Sequence, residues 1–575
     1  MVLLLETGLT ALALAVAFLR PTVLSVQFTA VEAHFRRFAN RRSLAVVSIS
    51  AFALALRLAV LTVEPIPKPF VHDEFGQLLI ADTFAHGRLS NPTHPLWAHF
   101  DTFSEIQKPT YQGFAQPGQG LFLALGQRLT GQPFWGLWLS VGLMCGAICW
   151  MLQAWVGPTW ALYGALLTVI RLATFSYWSD SYWGGAVGAT AGALVLGALA
   201  RIWKSPGWKP AVVMGLGLFL LANTRPFEGF VFSVPVAVVL LVWLFHKKRQ
   251  DFSAALKQVI LPLGLICTLG IFATMFYFYR VTGSPFRMPY QIHEAQYAVA
   301  PYFIWQSPHP IPAYQHEAFR SLYVDWEMGL HYQPTQTFPG LVGVWVLRLW
   351  WNWLFFLGPI LTLPLLVSVF AAPVGVRWSA TSREFRFLVV LSLAFSCALA
   401  VEIFTIPHYA APMACVLYAF IVMSLRSLRT WTWRGRPNGA FLTRAVPAVC
   451  LLLFAIRIAA VPLHLRMPPW WPPTWLGPAI NVPFRYGVQS ELERMPGQHL
   501  VLVRYKPFPG HDPNREWVFN SANIDSQKIV WARDMGSVAN QELLNYYPAR
   551  KSWIVDADDL PPKLIEYSAS SRNFK

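Results

Sequence analysis

The sequence predicts a polytopic α-helical membrane protein, with about 11 to 13 spans and a small α/β domain toward its C-terminal end. Of its 575 residues, 55% are apolar and only 13% are charged, whereas soluble proteins usually carry about 25% charged residues. Many of the apolar residues lie in runs of roughly 20, which is long enough to cross a bilayer as a helix. After residue 466 these runs give way to short alternating or β-rich segments.

Residues 1–43 form the first predicted unit, an N-terminal span followed by a basic loop. The opening run LLLETGLTALALAVAFLR has neither the basic start nor the small-residue cleavage site of a signal peptide. We therefore expect this segment to remain as a span. The loop that follows, HFRRFANRR, is expected on the cytoplasmic side because Lys and Arg mark cytoplasmic loops.

Basic loops also orient the second predicted unit, a transmembrane domain over residues 44–465. Short basic loops recur at Arg201–Lys209, Arg377–Arg386 and Arg426–Arg444, and we place them inside. The apolar run Leu44–Val63 then leads outward. The loops predicted on the extracytoplasmic side are 64–116, 176–185, 223–230, 280–340 and 405–412.

One apolar segment does not fit a simple alternation of spans. Gly120–Leu129 is too short to cross a bilayer comfortably at about 1.5 Å per residue. If the runs on its C-terminal side do cross, this segment is expected to be re-entrant or to lie in the membrane interface.

Residues 466–575 form the third predicted unit, a small extracytoplasmic α/β domain. It opens on the Pro- and Trp-rich stretch RMPPWWPPTWLGP and continues with β-rich runs such as HLVLVRY and KIVWAR. A helical pattern lies at NQELLNYY.

Composition and missing motifs disfavour several function classes. The net charge of +17 is spread over short loops between spans, unlike the basic face of a nucleic-acid-binding protein. All six cysteines lie in apolar segments, so none is left in the polar loops for disulfides or a zinc cluster. The motifs GxxxxGK[ST], HExxH and GxSxG do not occur. We therefore expect no nucleic-acid partner and no nucleotide-driven site on the inside.

The stretch FVHDEFGQLL places His72, Asp73 and Glu74 side by side just after an apolar run. One interpretation is a helix cap, with Asp73 and Glu74 at the positive end of the helix. A metal site is less favoured, because adjacent helical residues point about 100° apart and cannot converge on one ion unaided. The remaining interpretation is a general base, since a carboxylate can take a proton from an attacking hydroxyl.

Cationic residues recur in the predicted outer loops. Arg225 and Glu228, three residues apart in TRPFEGF, fit either a structural ion pair or a phosphate clamp, because Arg binds phosphate oxygens in a bidentate manner. The other candidate phosphate ligands are Lys108, Arg287, His408 and Tyr409. Singly each fits a structural role, but as a group around an acidic pair they suggest an anionic lipid headgroup.

The loop SYWSDSYWGG carries aromatic residues around Asp180. An aromatic belt at the membrane interface explains them. Alternatively, Tyr182 and Trp183 stack on a sugar while Asp180 and Glu228 bind its hydroxyls.

These motifs together resemble the GT-C superfamily of membrane glycosyltransferases, and within it the protein O-mannosyltransferase and lipid A aminoarabinose transferase type. The resemblance rests on HDE in the first large outer loop, many spans, outer loops rich in Arg and aromatic residues, and a terminal outer domain. The stretch PHYAAP also looks like the RY-x-x-P stretch late in that family. The similar layout covers about Leu44 to Val461.

The resemblance implies a polyprenyl-phosphate-linked sugar as donor, inversion at the anomeric carbon, and an active site on the extracytoplasmic side of the plasma or inner membrane. Asp73 matches the catalytic first-loop acid and Glu74 the second acid of the pair. The resemblance implies no defined cofactor, although a divalent cation is compatible with the family. Membrane lipids are expected partners, and the acceptor is unknown.

The sequence departs from the family in two places. The first loop is long and rich in histidine after HDE, and His408 stands where the family usually has Arg. A transporter or lipid flippase is the competing class, because Arg57 and Arg171 lie inside predicted spans. A third class is a membrane scaffold that presents the C-terminal domain.

Overall fold

Apolar helices make up most of the chain in the structure, a computed structural model. The structure describes residues 2–23, 25–69, 71–246, 249–371, 382–465, 485–507, 509–512 and 515–567. The predicted domain boundary at residue 466, the Pro- and Trp-rich stretch after it and the first half of the basic loop Arg377–Arg386 lie outside the described residues.

In this described part, eight helices are long and apolar enough to cross a membrane. They are Arg42–Val60, Phe134–Trp155, Ala186–Lys204, Pro226–Phe245, Asp251–Thr282, Arg383–Val401, Ala411–Arg429 and Asn438–Ala460. A ninth candidate is the pair Phe338–Phe356 and Gly358–Val369, joined at a bend of 99°. The predicted 11 to 13 spans are reached only if the shorter apolar helices Leu3–Leu19 and Trp208–Ala222 also cross.

Other helices are too short to span or too polar. They are Ser25–Ala39, His72–Ala85, Pro117–Thr130, Pro158–Leu172, Tyr177–Asp180, Pro289–Tyr297, Glu317–Arg320, Arg485–Arg494 and Ser537–Tyr546. The helix Arg249–Ala255 continues through the π-helical turn Leu256–Ile260 into Leu261–Thr282 and forms one span with it. Ser321–Tyr332 is a π-helix. The helix Pro117–Thr130 contains the segment that was difficult to place as a span, and it packs against His72–Ala85, which we call the HDE helix.

Small residues bring the central helices close together. The helix Ala186–Lys204 has 83% of its most apolar window buried, whereas Asp251–Thr282 has 6% buried and so faces outward. A Cβ added at Gly192 would lie 2.2 Å from the carbonyl oxygen of Pro412. The stretch GGAVGATAG (Gly184–Gly192), which leads into this helix, therefore serves close helix packing.

A buried ion pair lies at the bend between Phe338–Phe356 and the next helix. Arg171 Nη1 is 3.6 Å from Glu6 Oε1, and both side chains are fully enclosed. Arg171 donates to the carbonyl oxygens of Leu354 and Phe355, while Glu6 accepts from the backbone N–H of Ile360. The positive charge thus lies at the C-terminal end of one helix and the negative charge at the N-terminal end of the next. Because each helix end has the opposite partial charge, these contacts stabilise the bend between the two helices.

The C-terminal part of the chain forms a four-stranded sheet. Its strands, in spatial order, are Ile529–Arg533, His499–Arg504, Lys551–Asp556 and Leu564–Glu566. The first three are parallel and the last is antiparallel. A small α/β domain is therefore present, as the alternating runs predict. A two-stranded antiparallel ladder, Glu105–Ile106 with Gln112–Gly113, lies in the first loop.

This C-terminal sheet packs directly on the first loop. Leu500 and Leu502 on one face share a buried apolar cluster with Leu79 of the HDE helix and with Tyr111. The ring of Phe519 stacks on Phe75 with 4.5 Å between centroids.

Polar contacts hold the same interface. The backbone N–H of Ala522 donates to Asp82 Oδ2 at 2.7 Å. His94 Nε2 lies 3.2 Å from Asp525 Oδ1, and His99 bonds backbone carbonyls of the C-terminal domain. Two of the histidines that follow HDE in the first loop therefore bind the C-terminal domain.

We expect Phe519→Ala to weaken this docking by about 1.5 to 3 kcal/mol, because it removes both a half-buried aromatic side chain and a stacked pair. Limited proteolysis of the full chain in lipid nanodiscs measures the effect, as faster cleavage between the two domains. Val538→Ala is the matched control, since Val538 is 83% exposed in the same domain. Equal cleavage rates for Phe519→Ala and Val538→Ala would contradict the assigned role.

Candidate active site

One large cavity collects residues from all five predicted outer loops. Its volume is about 1310 Å³. The predicted site residues that line it are His72, Asp73, Trp183, Arg225, Glu228, His408 and Tyr409. Residues far apart in sequence thus share one space, which is larger than the pockets of about 300 to 1,000 Å³ that hold most small molecules.

Asp73 is the second residue of the HDE helix, and its carboxylate lies at the cavity wall. Ser104 donates its hydroxyl to Asp73 Oδ1 at 2.9 Å. His72 Nδ1 is 2.7 Å from Ser104 Oγ and 3.4 Å from Asp73 Oδ1. Because the single Ser104 hydrogen goes to Asp73, the His72 Nδ1 carries a hydrogen that it donates to Ser104.

The environment keeps Asp73 ionised. Burial raises the pKa of Asp73, but His72 and the hydrogen bond from Ser104 lower it more, with a further contribution from Arg225. The net pKa lies below the usual aspartate value. The Asp73 side chain, which is 28% exposed, is thus in the ionised form that a general base requires near neutral pH.

Glu74 has a different position from its neighbour. It is 2% exposed and does not line the cavity. Its Oε2 accepts from the N–H of Val71 and its Oε1 from the N–H of Tyr182, both at 2.9 Å. Glu74 therefore fits the capping interpretation of the HDE sequence, and the structure does not bring it to the reacting space predicted for it.

Arg225 lies at the start of the span Pro226–Phe245 and lines the cavity. Its guanidinium stacks over the ring of Tyr409 at 4.0 Å from the centroid, and Nη1 is 3.7 Å from Glu228 Oε1. Burial lowers the pKa of Arg225, but Glu228 and Tyr409 raise it more. The Arg225 side chain thus carries a fixed positive charge, and 23% of its surface is exposed.

His408 lines the same cavity as a neutral ring. Its Nδ1 is 3.1 Å from the hydroxyl of Tyr177. Burial, and then the charge of Arg225, lowers the pKa of His408 well below the usual histidine value. The cationic role expected for His408 is therefore replaced by that of a neutral hydrogen-bonding group.

Several predicted site residues lie elsewhere. Lys108 Nζ lies 4.1 Å from the ring centroid of Trp97, in a separate pocket. Arg287 is exposed and does not line the cavity. Asp180 Oδ1 is 2.6 Å from Arg57 Nη2 in a buried ion pair, because its loop folds back on the first long span.

Among the predicted sugar-binding aromatics, Tyr182 is 4% exposed and donates its hydroxyl to the carbonyl of Pro67. Trp183 lines the cavity together with Glu228. Only these two of the four predicted sugar ligands therefore have access to the reacting space.

Sequence reasoning missed Arg348 and Glu402. Arg348 lines the cavity and donates to the carbonyl oxygens of Glu402 and Ile403. Burial, and then Glu228, raises the pKa of Glu402 to about 9. Each of these residues is a single charged residue within an apolar run. Such a charge is costly in a membrane and tends to be functional, so the sequence could have indicated both.

Two more carboxyl groups, Glu294 and Glu327, line the cavity. Burial raises the pKa of Glu294 to about 7. Burial, then Glu294 and Asp73, raises the pKa of Glu327 well above its usual value. Asp73 is thus the carboxyl held in its charged form, while Glu327 is held neutral. In the part of the chain that is described, no group of three or more His, Cys, Asp or Glu side chains could hold a metal ion.

Part of the cavity wall is apolar. Phe227, Phe230, Leu330, Val344, Leu347, Trp351 and Phe404 line it. Phe230 is 67% exposed and Leu347 is 53% exposed, on the spans Pro226–Phe245 and Phe338–Phe356 respectively. The polar part of the cavity around Asp73 and Arg225 is therefore continuous with an apolar part that these two spans line, which we call the apolar channel.

No sequence profile of a known protein family matches the chain. No curated protein matches it either.

Solved structures resemble the chain at low identity. The Archaeoglobus fulgidus oligosaccharyltransferase tethered with an acceptor peptide aligns at 11% identity with a TM-score of 0.48, over 89% of this chain and 69% of that one. AglB from the same organism, in complex with an inhibitory peptide and a dolichol-phosphate, aligns at 11% identity with a TM-score of 0.46 over the same shares. ArnT from Cupriavidus metallidurans bound to undecaprenyl phosphate aligns at 12% identity with a TM-score of 0.42, over 91% and 98%.

Proposed function

We propose that the chain is an inverting membrane glycosyltransferase that moves a sugar from a polyprenyl-phosphate donor to an acceptor hydroxyl on the extracytoplasmic side. The observation that carries the proposal is the single cavity in which an ionised Asp73 and a permanently charged Arg225 meet an apolar channel. A polyprenyl-phosphate sugar has three matching parts, namely a reacting sugar, an anionic phosphate and an apolar chain.

In the proposed reaction, Asp73 takes the proton from the acceptor hydroxyl. The acceptor oxygen then attacks the anomeric carbon from the face opposite the phosphate, forming a C–O bond. The bond between that carbon and the phosphate oxygen breaks, and its electron pair leaves with the polyprenyl phosphate. Because phosphate is a stable leaving group, a positive charge can stabilise it without a general acid.

Arg225 is the proposed cation for that charge. Its guanidinium is oriented by Tyr409 on one side and Glu228 on the other, which leaves a fixed planar donor set of the kind that binds phosphate. Arg348 lines the same cavity and adds a second positive charge. The apolar channel between the two spans holds the lipid chain, and Trp183 and Glu228 contact the sugar.

Two ion pairs remove the main support for the transporter alternative. It rested on Arg57 and Arg171 as charges within spans, and these side chains bind Asp180 and Glu6. The two ion pairs thus explain why these arginines lie within spans.

We expect Arg225→Ala to weaken binding of undecaprenyl phosphate by about ten- to a hundredfold, the loss of one charge-assisted contact. Native mass spectrometry of the full chain with added undecaprenyl phosphate measures it. Arg287→Ala is the matched control and should bind like the wild-type chain, since Arg287 does not line the cavity. The phosphate assignment fails if Arg225→Ala binds undecaprenyl phosphate as tightly as Arg287→Ala does.

A further inference from the structure

A serine hydroxyl holds the proposed base from one side. Ser104 donates its hydroxyl to Asp73 Oδ1 at 2.9 Å, and His72 Nδ1 donates to the same serine at 2.7 Å. Ser104 is 1% exposed, so its hydroxyl is shielded from bulk water. A serine hydroxyl has a single hydrogen, which here serves the Asp73 carboxylate alone.

The backbone around Ser104 is fixed by close contacts. A Cβ added at Gly76 would lie 2.4 Å from the Ser104 carbonyl oxygen, so only glycine allows the HDE helix to approach the serine this closely. The carbonyl oxygen of the preceding residue, Phe103, accepts hydrogen bonds from the Tyr323 hydroxyl at 3.1 Å and from His293 Nε2. Three separate helices therefore hold the peptide that carries the serine.

The C-terminal domain reaches the same stretch of chain through Arg533. This residue ends the strand Ile529–Arg533 and is 2% exposed. Its Nε donates to the Asp101 carbonyl oxygen at 2.6 Å, and its guanidinium lies over the Phe103 ring, 5.3 Å from the centroid. An ion pair with Glu516 fixes the guanidinium. Arg533 thus binds residues 101–103, immediately before the serine.

We propose that Ser104 is a positioning residue for Asp73, and that the C-terminal domain holds Ser104 in place through Arg533. The serine acts on the carboxylate directly, because a donated hydrogen bond favours the ionised form. Arg533 acts one step further away, by fixing the backbone before the serine. The importance of this arrangement for catalysis rests on the proposed function, in which Asp73 is the base. The protonation of Asp73 itself can be measured without any sugar.

Reaction with dicyclohexylcarbodiimide reports the protonation of Asp73, because this apolar reagent modifies carboxyl groups in their protonated form. The full chain in lipid nanodiscs is treated at pH 6, and peptide mapping by mass spectrometry separates Asp73 from Glu74. Ser104→Ala should label Asp73 about tenfold faster than the wild-type chain. This is the lower end of the range for a hydrogen bond to a charged group, since Asp73 is partly exposed.

Two controls make the labelling specific to Ser104. Glu327 lines the same cavity, so its labelling in the same molecules corrects for access of the reagent. Ser140→Ala removes another buried serine hydroxyl, which bonds the carbonyl of Leu137 in its own helix, and should leave Asp73 at the wild-type rate. The other charged or titratable groups that act on Asp73 are present in every chain compared, namely His72, Arg225, His293, Glu327 and Tyr409.

A second variant tests the route from the C-terminal domain. Arg533→Lys keeps a positive charge beside Glu516 but removes the Nε donor to Asp101. We expect Asp73 to be labelled about two- to fivefold faster in this chain. Adding Arg533→Lys to Ser104→Ala should cause no further increase, because the arginine acts through the serine. Arg504→Lys is the matched control, since Arg504 ends the neighbouring strand and pairs with Asp556.

The role of Ser104 is overturned if Ser104→Ala labels Asp73 at the wild-type rate relative to Glu327. The route through Arg533 is overturned if Arg533→Lys has no effect, or if its effect is equally large in the Ser104→Ala chain. Neither result depends on sugar transfer. Faster labelling of Ser104→Ala together with normal glycans in Asp73→Asn would keep the positioning and refute the transferase, and the reverse pair of results would do the opposite.

Discussion

Replacing Asp73 with Asn is expected to reduce sugar transfer by about 100- to 10,000-fold, the range for loss of a positioned general base. The amide keeps the shape of the side chain and can still bond Ser104, but it cannot take the proton of the acceptor hydroxyl. Mass spectrometry of cell-envelope glycans from cells carrying the wild-type or variant chain measures the loss. Asp73→Ala should behave in the same way.

Undecaprenyl phosphate binding separates this effect from misfolding. Asp73 contributes a negative charge near Arg225, so its neutralisation should leave phosphate affinity unchanged or slightly higher. Asp559→Asn serves as the matched control, because Asp559 bonds Lys506 at the edge of the C-terminal domain. Wild-type glycan levels in a folded Asp73→Asn chain would exclude Asp73 as the base.

Replacing Arg171 with Met is expected to lower the free energy of unfolding by about 3 to 5 kcal/mol, the usual cost of removing one partner of a buried ion pair. The change leaves Glu6 enclosed without its cation and leaves the carbonyls of Leu354 and Phe355 without their donor. Thermal unfolding of the full chain in lipid nanodiscs measures the loss. Arg128→Met, at an exposed arginine, should have little effect.

A double variant identifies the ion pair as the cause. Glu6→Leu combined with Arg171→Met removes both charges, so its destabilisation should be smaller than the sum of the single effects by about 0.5 to 3 kcal/mol. Strict additivity of the two changes would indicate that packing, and not the pair, stabilises the bend.

The long apolar runs predicted the helical membrane fold because their length and composition are local properties. The bend at Gly358 could not be predicted in this way. It depends on Glu6 and Arg171, which come from helices far away in sequence. The same limit applies to Asp180, whose pairing with Arg57 required the folded positions of two separate segments.

Within the candidate site, the sequence predicted that Asp73 and Arg225 belong to one site. Asp73 follows one long span and Arg225 precedes another, and both lie on the same predicted side of the membrane. The sequence assigned Lys108 and Arg287 to that group by charge alone, and neither side chain reaches the cavity. His408 is neutral because of burial next to Arg225, a property that composition does not reveal. Arg348 was overlooked because it lies in the middle of an apolar run.

Docking of the C-terminal domain on the HDE helix also has a consequence for biosynthesis. The helix that carries Asp73 emerges from the ribosome early, but Phe519 and Ala522, which bind Phe75 and Asp82, are made more than four hundred residues later. Contacts so distant in sequence form late in folding. The proposed base therefore reaches its final support only after Phe519 and Ala522 have been translated, and chains that stop before these residues would be released without a finished reaction centre.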